Sequence, residues 1–172
     1  MTTRPLPYSN ELHQRAHQFL VEEAHLLDNA RMDEWLELLC PDIEYVMPAT
    51  VTAMRGSGDR STIDHLREDW YSLRKRVERL ATERAWTEDP PSRVRHYVTN
   101  VRTFAGDQPD ELVVESAVLL FRSRGDDRAP ELVSAGRTDT LRLLPDDGLR
   151  LRRRIVHVDE AVLRTQNLAI LL

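Results

Sequence analysis

Four stretches in the second half of the chain alternate apolar and polar residues with a period of two, and no other feature of the sequence constrains the fold as strongly. They span residues 93–104, 111–124, 131–144 and 149–158. Successive side chains of a strand point to opposite faces, so alternation sustained this long predicts strands with one face buried. The connectors are Gly106-Asp107-Gln108-Pro109-Asp110, Gly125-Asp126-Asp127-Arg128-Ala129-Pro130 and Pro145-Asp146-Asp147-Gly148, all rich in turn residues. Short connectors between long strands predict successive antiparallel hairpins.

The first half repeats differently. Leu12, Ala16, Phe19, Leu20, Ala24 and Leu27 recur at the spacing of one helical face over residues 10–29, with Ser9 or Asn10 available as cap. Met32, Trp35, Leu36 and Leu39 continue that period in a second helix, with Asp33 and Glu34 in its first turn, until Pro41 stops it. Ile43, Tyr45 and Met47 then alternate as a short strand closed by Pro48. Over residues 49–60, Val51 and Ala53 permit a further short strand, and Gly56-Ser57-Gly58 marks a flexible turn. Ser61 or Thr62 is expected to cap a long helix whose stripe is Ile63, Leu66, Trp70, Leu73, Val77 and Leu80. That stripe is too short for a coiled coil and reads as core packing. Helices first and a meander afterwards predict one α+β domain over residues 1–172, its helices covering one face of a curved, mainly antiparallel sheet.

Composition narrows the function. The 172 residues carry 24 basic and 29 acidic side chains, a net charge of −5, with 41% hydrophobic and 31% charged residues. A chain of this size buries roughly 70% of its unfolded surface and needs no metal or disulfide to hold a core. The cationic residues are scattered among acids, so no basic footprint for nucleic acid is expected. No run approaches the ~18 apolar residues of a membrane span, and the first residues lack a secretory pattern. The expected location is the cytoplasm. Cys40 is the single cysteine, which excludes an internal disulfide and any multi-cysteine zinc or iron-sulfur site.

Candidate chemistry is sparse. His13 and His17 lie four apart on the first helix, but residue 14 is Gln where a zincin needs Glu, so both are expected to be solvated. The spacing of the six histidines neither proposes nor forbids a facial iron triad. There is no Gly-x-Ser-x-Gly elbow, Walker loop or Gly-x-Gly-x-x-Gly fingerprint. Cys40, between Leu39 and Pro41 at a helix end, reads as an inert buried thiol. Acid-base chemistry is the remaining possibility. Period two places Val94, His96, Val98 and Asn100 on one face, where His96 could act with Tyr45 or Asp42 in a concavity; a hydrogen-bonded structural histidine is the competing reading. In the basic cluster near the end, alternation puts Arg153 with Leu149, Leu151 and Ile155, and Arg150, Arg152 and Arg154 on the other face. Those arginines could pair with carboxylates across a subunit contact or within the chain.

Specific strings add to this reading. Residues 85–101 (AWTEDPPSRVRHYVTNV) resemble a stretch of the small (β) subunits of bacterial aromatic-ring-hydroxylating dioxygenases. Residues 22–28 and 35–39, the strand 42–48, residues 153–159 and the tail 167–172 are similar to that family in character and order. The resemblance covers about residues 10–172. It implies a nuclear transport factor 2-like cone, the fold of ketosteroid isomerase and scytalone dehydratase, and an assembly of three α and three β subunits. It also implies that the α chain holds the Rieske cluster and mononuclear iron and cis-dihydroxylates the aromatic compound, while the β chain is non-catalytic. A Rieske centre needs two Cys and two His, which a single Cys cannot supply. Trp86, Asp89, Pro90, Pro91, Arg93 and the C-terminal tail are then expected at subunit contacts, because rigid turns, Trp and Arg favour interfaces. The alternative is a stand-alone dehydratase, isomerase or cyclase using His96 with Asp42 or Tyr45.

Overall fold

In a computed structural model of the chain, the described residues are 4–49, 64–80, 92–123, 129–159 and 171–172. The elements are α1 (Glu11–Asp28), α2 (Met32–Glu37), β1 (Leu39–Pro48), β2 (Asp64–Glu68), α3 (Trp70–Leu80), β3 (Arg93–Ala105), β4 (Glu111–Ser123), β5 (Glu131–Leu143) and β6 (Leu149–Val158). The strands form one curved six-stranded sheet in the order β2-β1-β6-β5-β4-β3. All neighbours are antiparallel except β1 and β6. Strands β3 to β6 are the expected hairpin series, with ends within a residue of those read from the alternation.

Local chemistry explains most boundaries. The Asn10 side chain accepts from the Leu12 amide at 2.9 Å and opens α1. At the other end Ala30 N–H donates to Leu27 O and Arg31 N–H to Leu26 O, a Schellman closure that holds Ala30 at φ 54. α1 packs mainly on β3, and its buried stripe of Ala16, Phe19, Leu20, Leu26 and Leu27 joins Trp35, Tyr45, Val118, Leu120, Leu151 and Val156 in the core.

Two expectations fail here. Residues 64–68 are strand, not the start of a helix running from Ser61 or Thr62. They lie along the free edge of β1, with Met47 opposite Leu66 and Val46 opposite Arg67. The helix begins only at Trp70, where Asp69 caps it: Ser72 N–H donates to the Asp69 carboxylate and Asp69 N–H to the Ser72 hydroxyl, both at 2.8 Å. The expected cap and the readings over residues 50–63 otherwise lie outside the described residues. Likewise α2 ends at Glu37, before Pro41 can stop it, and Leu39 and Cys40 already belong to β1. Pro41 falls where the register of β1 against β6 is irregular between Leu39 and Glu44, a place where a strand tolerates a missing donor.

Candidate functional site

The inner face of the sheet, covered by α1 and α2, holds an unusual amount of charge. Inward-facing Val133, Ala135, Arg137, Asp139 and Leu141 of β5 are all buried. From β6, Arg154 enters beside them at 0% exposure, and Glu23 of α1 meets it at 1%. Arg154 Nε and Nη2 donate to the Asp139 carboxylate at 2.8 Å each, while Nη1 and Nη2 donate to Glu23 at 2.7 and 2.6 Å. Trp35 Nε1 donates to Glu23 at 3.2 Å, Arg137 Nη1 stands 3.6 Å from the same carboxylate, and Arg137 Nε donates to Ser116 at 3.3 Å. Two carboxylates and two guanidiniums therefore balance. Burial alone would push the Glu23 carboxyl up, but Arg154 and Arg137, with the bonds from Arg154 and Trp35, hold it below its usual range. Burial also works against the charge on Arg154, and Asp139 and Glu23 more than offset it.

Beside this cluster lies the end of the chain. Leu171 and Leu172 are 4% and 3% exposed. Tyr45 OH donates to Leu172 O at 2.5 Å and accepts from Leu172 N–H at 3.0 Å. Arg154 Nη1 lies 3.3 Å from the same oxygen. Burial raises the Tyr45 phenol above its ordinary value. His96 stands with Nδ1 2.7 Å from Asp28 Oδ1 and Nε2 2.9 Å from Leu171 O.

The residues singled out from sequence are thus divided. Tyr45 and His96 both face inward and both hold the tail. Asp42 sits on the other phase of β1, exposed, where Arg142 donates to both its oxygens at 3.0 Å and lowers its carboxyl, with Arg152 3.3 Å away. Asn100 does not share the His96 face. An extra residue between Thr99 and Arg102 bulges β3, Asn100 adopts φ 55, and inward phase resumes at Val101 and Thr103. A bulge opposite Thr140 and Leu141 does the same to β6, so Arg153 is exposed beside Glu44 while Leu151 is buried, and Arg154 turns inward. Three of the four arginines in that cluster pair within the chain: besides Arg154, Arg152 also reaches Glu111 at 3.4 Å, and Arg153 donates to Glu44 at 2.9 Å.

His13 is not solvated as expected. It is 4% exposed, with Nδ1 2.9 Å from the Thr103 hydroxyl, and burial followed by repulsion from His17 lowers its pKa. Cys40 is buried, and that burial raises its thiol. Among the described residues no three of His, Cys, Asp and Glu converge in a way that could hold a metal ion. An apolar groove of about 450 Å³ is lined by Leu36, Glu37, Leu39, Pro41, Trp70 and Arg150, none of them an acid-base candidate.

Sequence reasoning missed Glu23, Asp28, Arg137 and Asp139. Glu23 falls on the apolar stripe of α1 between Leu20 and Leu27, and Arg137 and Asp139 fall in the buried phase of β5. A charge on a buried phase was the available signal. Asp28, at the last turn of α1, carried no such mark.

The opposite face of the sheet is solvent-exposed and partly apolar. Tyr97 of β3 stands directly across from Leu119 of β4, and Phe121 of β4 across from Leu132 of β5. Tyr97, Leu119 and Leu132 are 56%, 39% and 53% exposed. Arg93, also exposed, lies on the same face opposite Ser123. Trp86, Asp89, Pro90 and Pro91 lie outside the described residues.

Among solved structures, the chain is similar to one in naphthalene 1,2-dioxygenase with indole bound in its active site, at 26% identity and a TM-score of 0.86, covering 98% of this chain and 90% of that one. The beta subunit of benzoate 1,2-dioxygenase from Burkholderia mallei ATCC 23344 shares the fold at 22% identity and a TM-score of 0.72, covering 99% of this chain and 100% of that one. A scytalone dehydratase-like protein of Novosphingobium aromaticivorans DSM 12444 shares it at 15% identity and a TM-score of 0.61, covering 86% and 83%. The fold is thus the expected nuclear transport factor 2-like cone. Residues 22–165 match the ring hydroxylating beta subunit family, and with most of its length inside that match the chain belongs to the beta subunits of ring-hydroxylating dioxygenases.

Proposed function

We propose that this chain is the non-catalytic partner in a complex of three α and three β subunits, operating in the cytoplasm, in which the α chain binds the Rieske cluster and mononuclear iron and dihydroxylates an aromatic compound. The observation that carries this reading is the state of the inner face. Glu23, Arg137, Asp139 and Arg154 compensate one another, and Tyr45 and His96 are engaged by Leu171 and Leu172. The acid-base candidates Tyr45 and His96 are thus committed to the tail, while Arg137 Nη2 in the buried cluster keeps an N–H without a hydrogen-bond partner among the described residues. The donor set agrees, since one cysteine cannot make a Rieske centre.

The partner contact is drawn on the outer side. A patch containing Tyr97, Leu119 and Leu132, flanked by Arg93, has the aromatic and arginine character of interface cores. Trp86, Asp89, Pro90 and Pro91, shortly before β3 in the sequence, are proposed as contacts on residue type alone.

Co-expression with the large subunit, followed by sizing and iron analysis, tests this. The expected product is one particle with equal numbers of both chains, with iron and turnover lost when the large chain is omitted. Turnover of an aromatic compound by this chain alone, or its failure to co-elute with any Rieske subunit, refutes it.

A further inference from the structure

His96 lies between two acceptors. Asp28 Oδ1 accepts from the His96 backbone N–H at 2.9 Å and lies 2.7 Å from its Nδ1, and Asp28 Oδ2 is 3.3 Å from Arg95 Nη1. Both Asp28 oxygens face donors, which places Asp28 as the acceptor and His96 Nδ1 as the donor to it. On the other side of the ring Nε2 meets Leu171 O at 2.9 Å, and a carbonyl oxygen can only accept. A flipped ring would put carbon atoms against both oxygens, so it offers no escape. The geometry therefore places an acceptor against each ring nitrogen of a buried histidine, with 2% of its side chain exposed against 5% for Asp28. A neutral ring that kept the Asp28 bond would turn a lone pair on Leu171 O.

We propose that the inner face of the sheet is a binding site for the chain's own segment 171–172, and that the charge of His96 gates it. The segment is seated most firmly while both ring nitrogens are protonated, and loss of one proton removes the bond to Leu171 O and loosens it. The charged groups facing this region are Asp28 from α1, Arg95 from β3, and Arg154 from β6 at the Leu172 end; Leu120, across from His96 on β4, is apolar. Tyr45 completes the seat by taking both the N–H and the O of Leu172. While the segment is seated, neither Tyr45 nor His96 can serve another molecule. The site thus keeps its polar groups matched by a peptide in place of a substrate.

The test uses the full chain with labelled histidine, followed by NMR across a pH titration. One readout is the protonation of the two His96 ring nitrogens, with exposed His17, His25 and His157 as internal references. The other is the hydrogen-exchange protection of the Leu172 amide, corrected for intrinsic exchange. The expected result is a doubly protonated His96 ring while Leu172 is protected. Protection then falls about tenfold, the equivalent of one hydrogen bond, at the same midpoint as the ring's titration. A ring already neutral where protection of Leu172 is at its maximum, or protection unchanged through the ring's titration, overturns the proposal. In His96→Gln the step at that midpoint should vanish, and a step that persists there places the gate elsewhere. If that variant does not fold, the coincidence of midpoints in the parent chain still decides. Failure here is distinguishable from failure of the assembly reading, which co-elution with the large subunit decides.

Discussion

Replacing Arg154 by Met tests whether the buried cluster is as finely balanced as its geometry indicates. The substitution keeps most of the apolar stem and removes a guanidinium that makes four bonds to two carboxylates at 2.6 to 2.8 Å. Glu23 would keep Trp35 and the more distant Arg137, whereas Asp139, at 0% exposure, would keep none of the ion-pair partners described. Breaking a buried pair from one side costs about 3–5 kcal/mol, because the remaining charge is left in a poor dielectric. That is a large part of the ~5–15 kcal/mol by which a domain is stable. Urea denaturation at matched protomer concentration measures it, and the loss should appear as a lower midpoint at unchanged slope.

The pH dependence gives the sharper check. In the parent, Glu23 is held below its ordinary value of 4.5, so its contribution is complete above that pH and is lost as pH falls through the depressed value. In Arg154→Met the uncompensated cluster takes up a proton on folding, so its penalty is greatest at neutral pH and shrinks in acid. The gap between parent and variant should therefore narrow as pH falls. Adding Asp139→Leu removes the stranded charge and leaves Glu23 with Arg137, and should restore about 1–3 kcal/mol. A loss below about 1 kcal/mol for the single variant, or a gap that widens in acid, would refute the reasoning.

Three further outcomes follow from single residues. Ala30→Gly should raise stability by about 0.5–1 kcal/mol in thermal or urea denaturation, because Ala30 closes α1 at φ 54, where a Cβ is strained. Cys40 should resist thiol reagents in the native chain and react once in urea, since it is 1% exposed and burial raises its thiol. His13 is held neutral by burial, so its contribution is full above its ordinary value of 6.5 and declines as pH falls towards its lowered value; His13→Gln should flatten that part of the stability profile.

The alternation of residues 93–158 and the turns between was enough to specify four strands and their hairpin order, because a buried face imposes period two on the sequence itself. The α1 stripe and its Asn10 cap were equally local and equally legible. The family strings reached the same fold by another route. What local pattern could not settle was anything decided by pairing. Residues 64–68 fit a helical stripe as well as a strand, and the free edge of β1 chose between them. Single-residue bulges in β3 and β6 reversed the inward phase, removing Asn100 from the His96 face and sending Arg154 inside.

Sequence by itself therefore determined the kind and order of most elements, β2 excepted, and that one cysteine falls short of a Rieske donor set, all of which depend on residue type and near neighbours. Only the tertiary structure decided which charges are buried and what satisfies them. Glu23 and Arg154 are 131 residues apart, and Tyr45 and Leu172 are 127 apart. A buried charge is stable only beside its counter-charge, and the strand registers and helix packing that bring these partners together are properties of the whole fold.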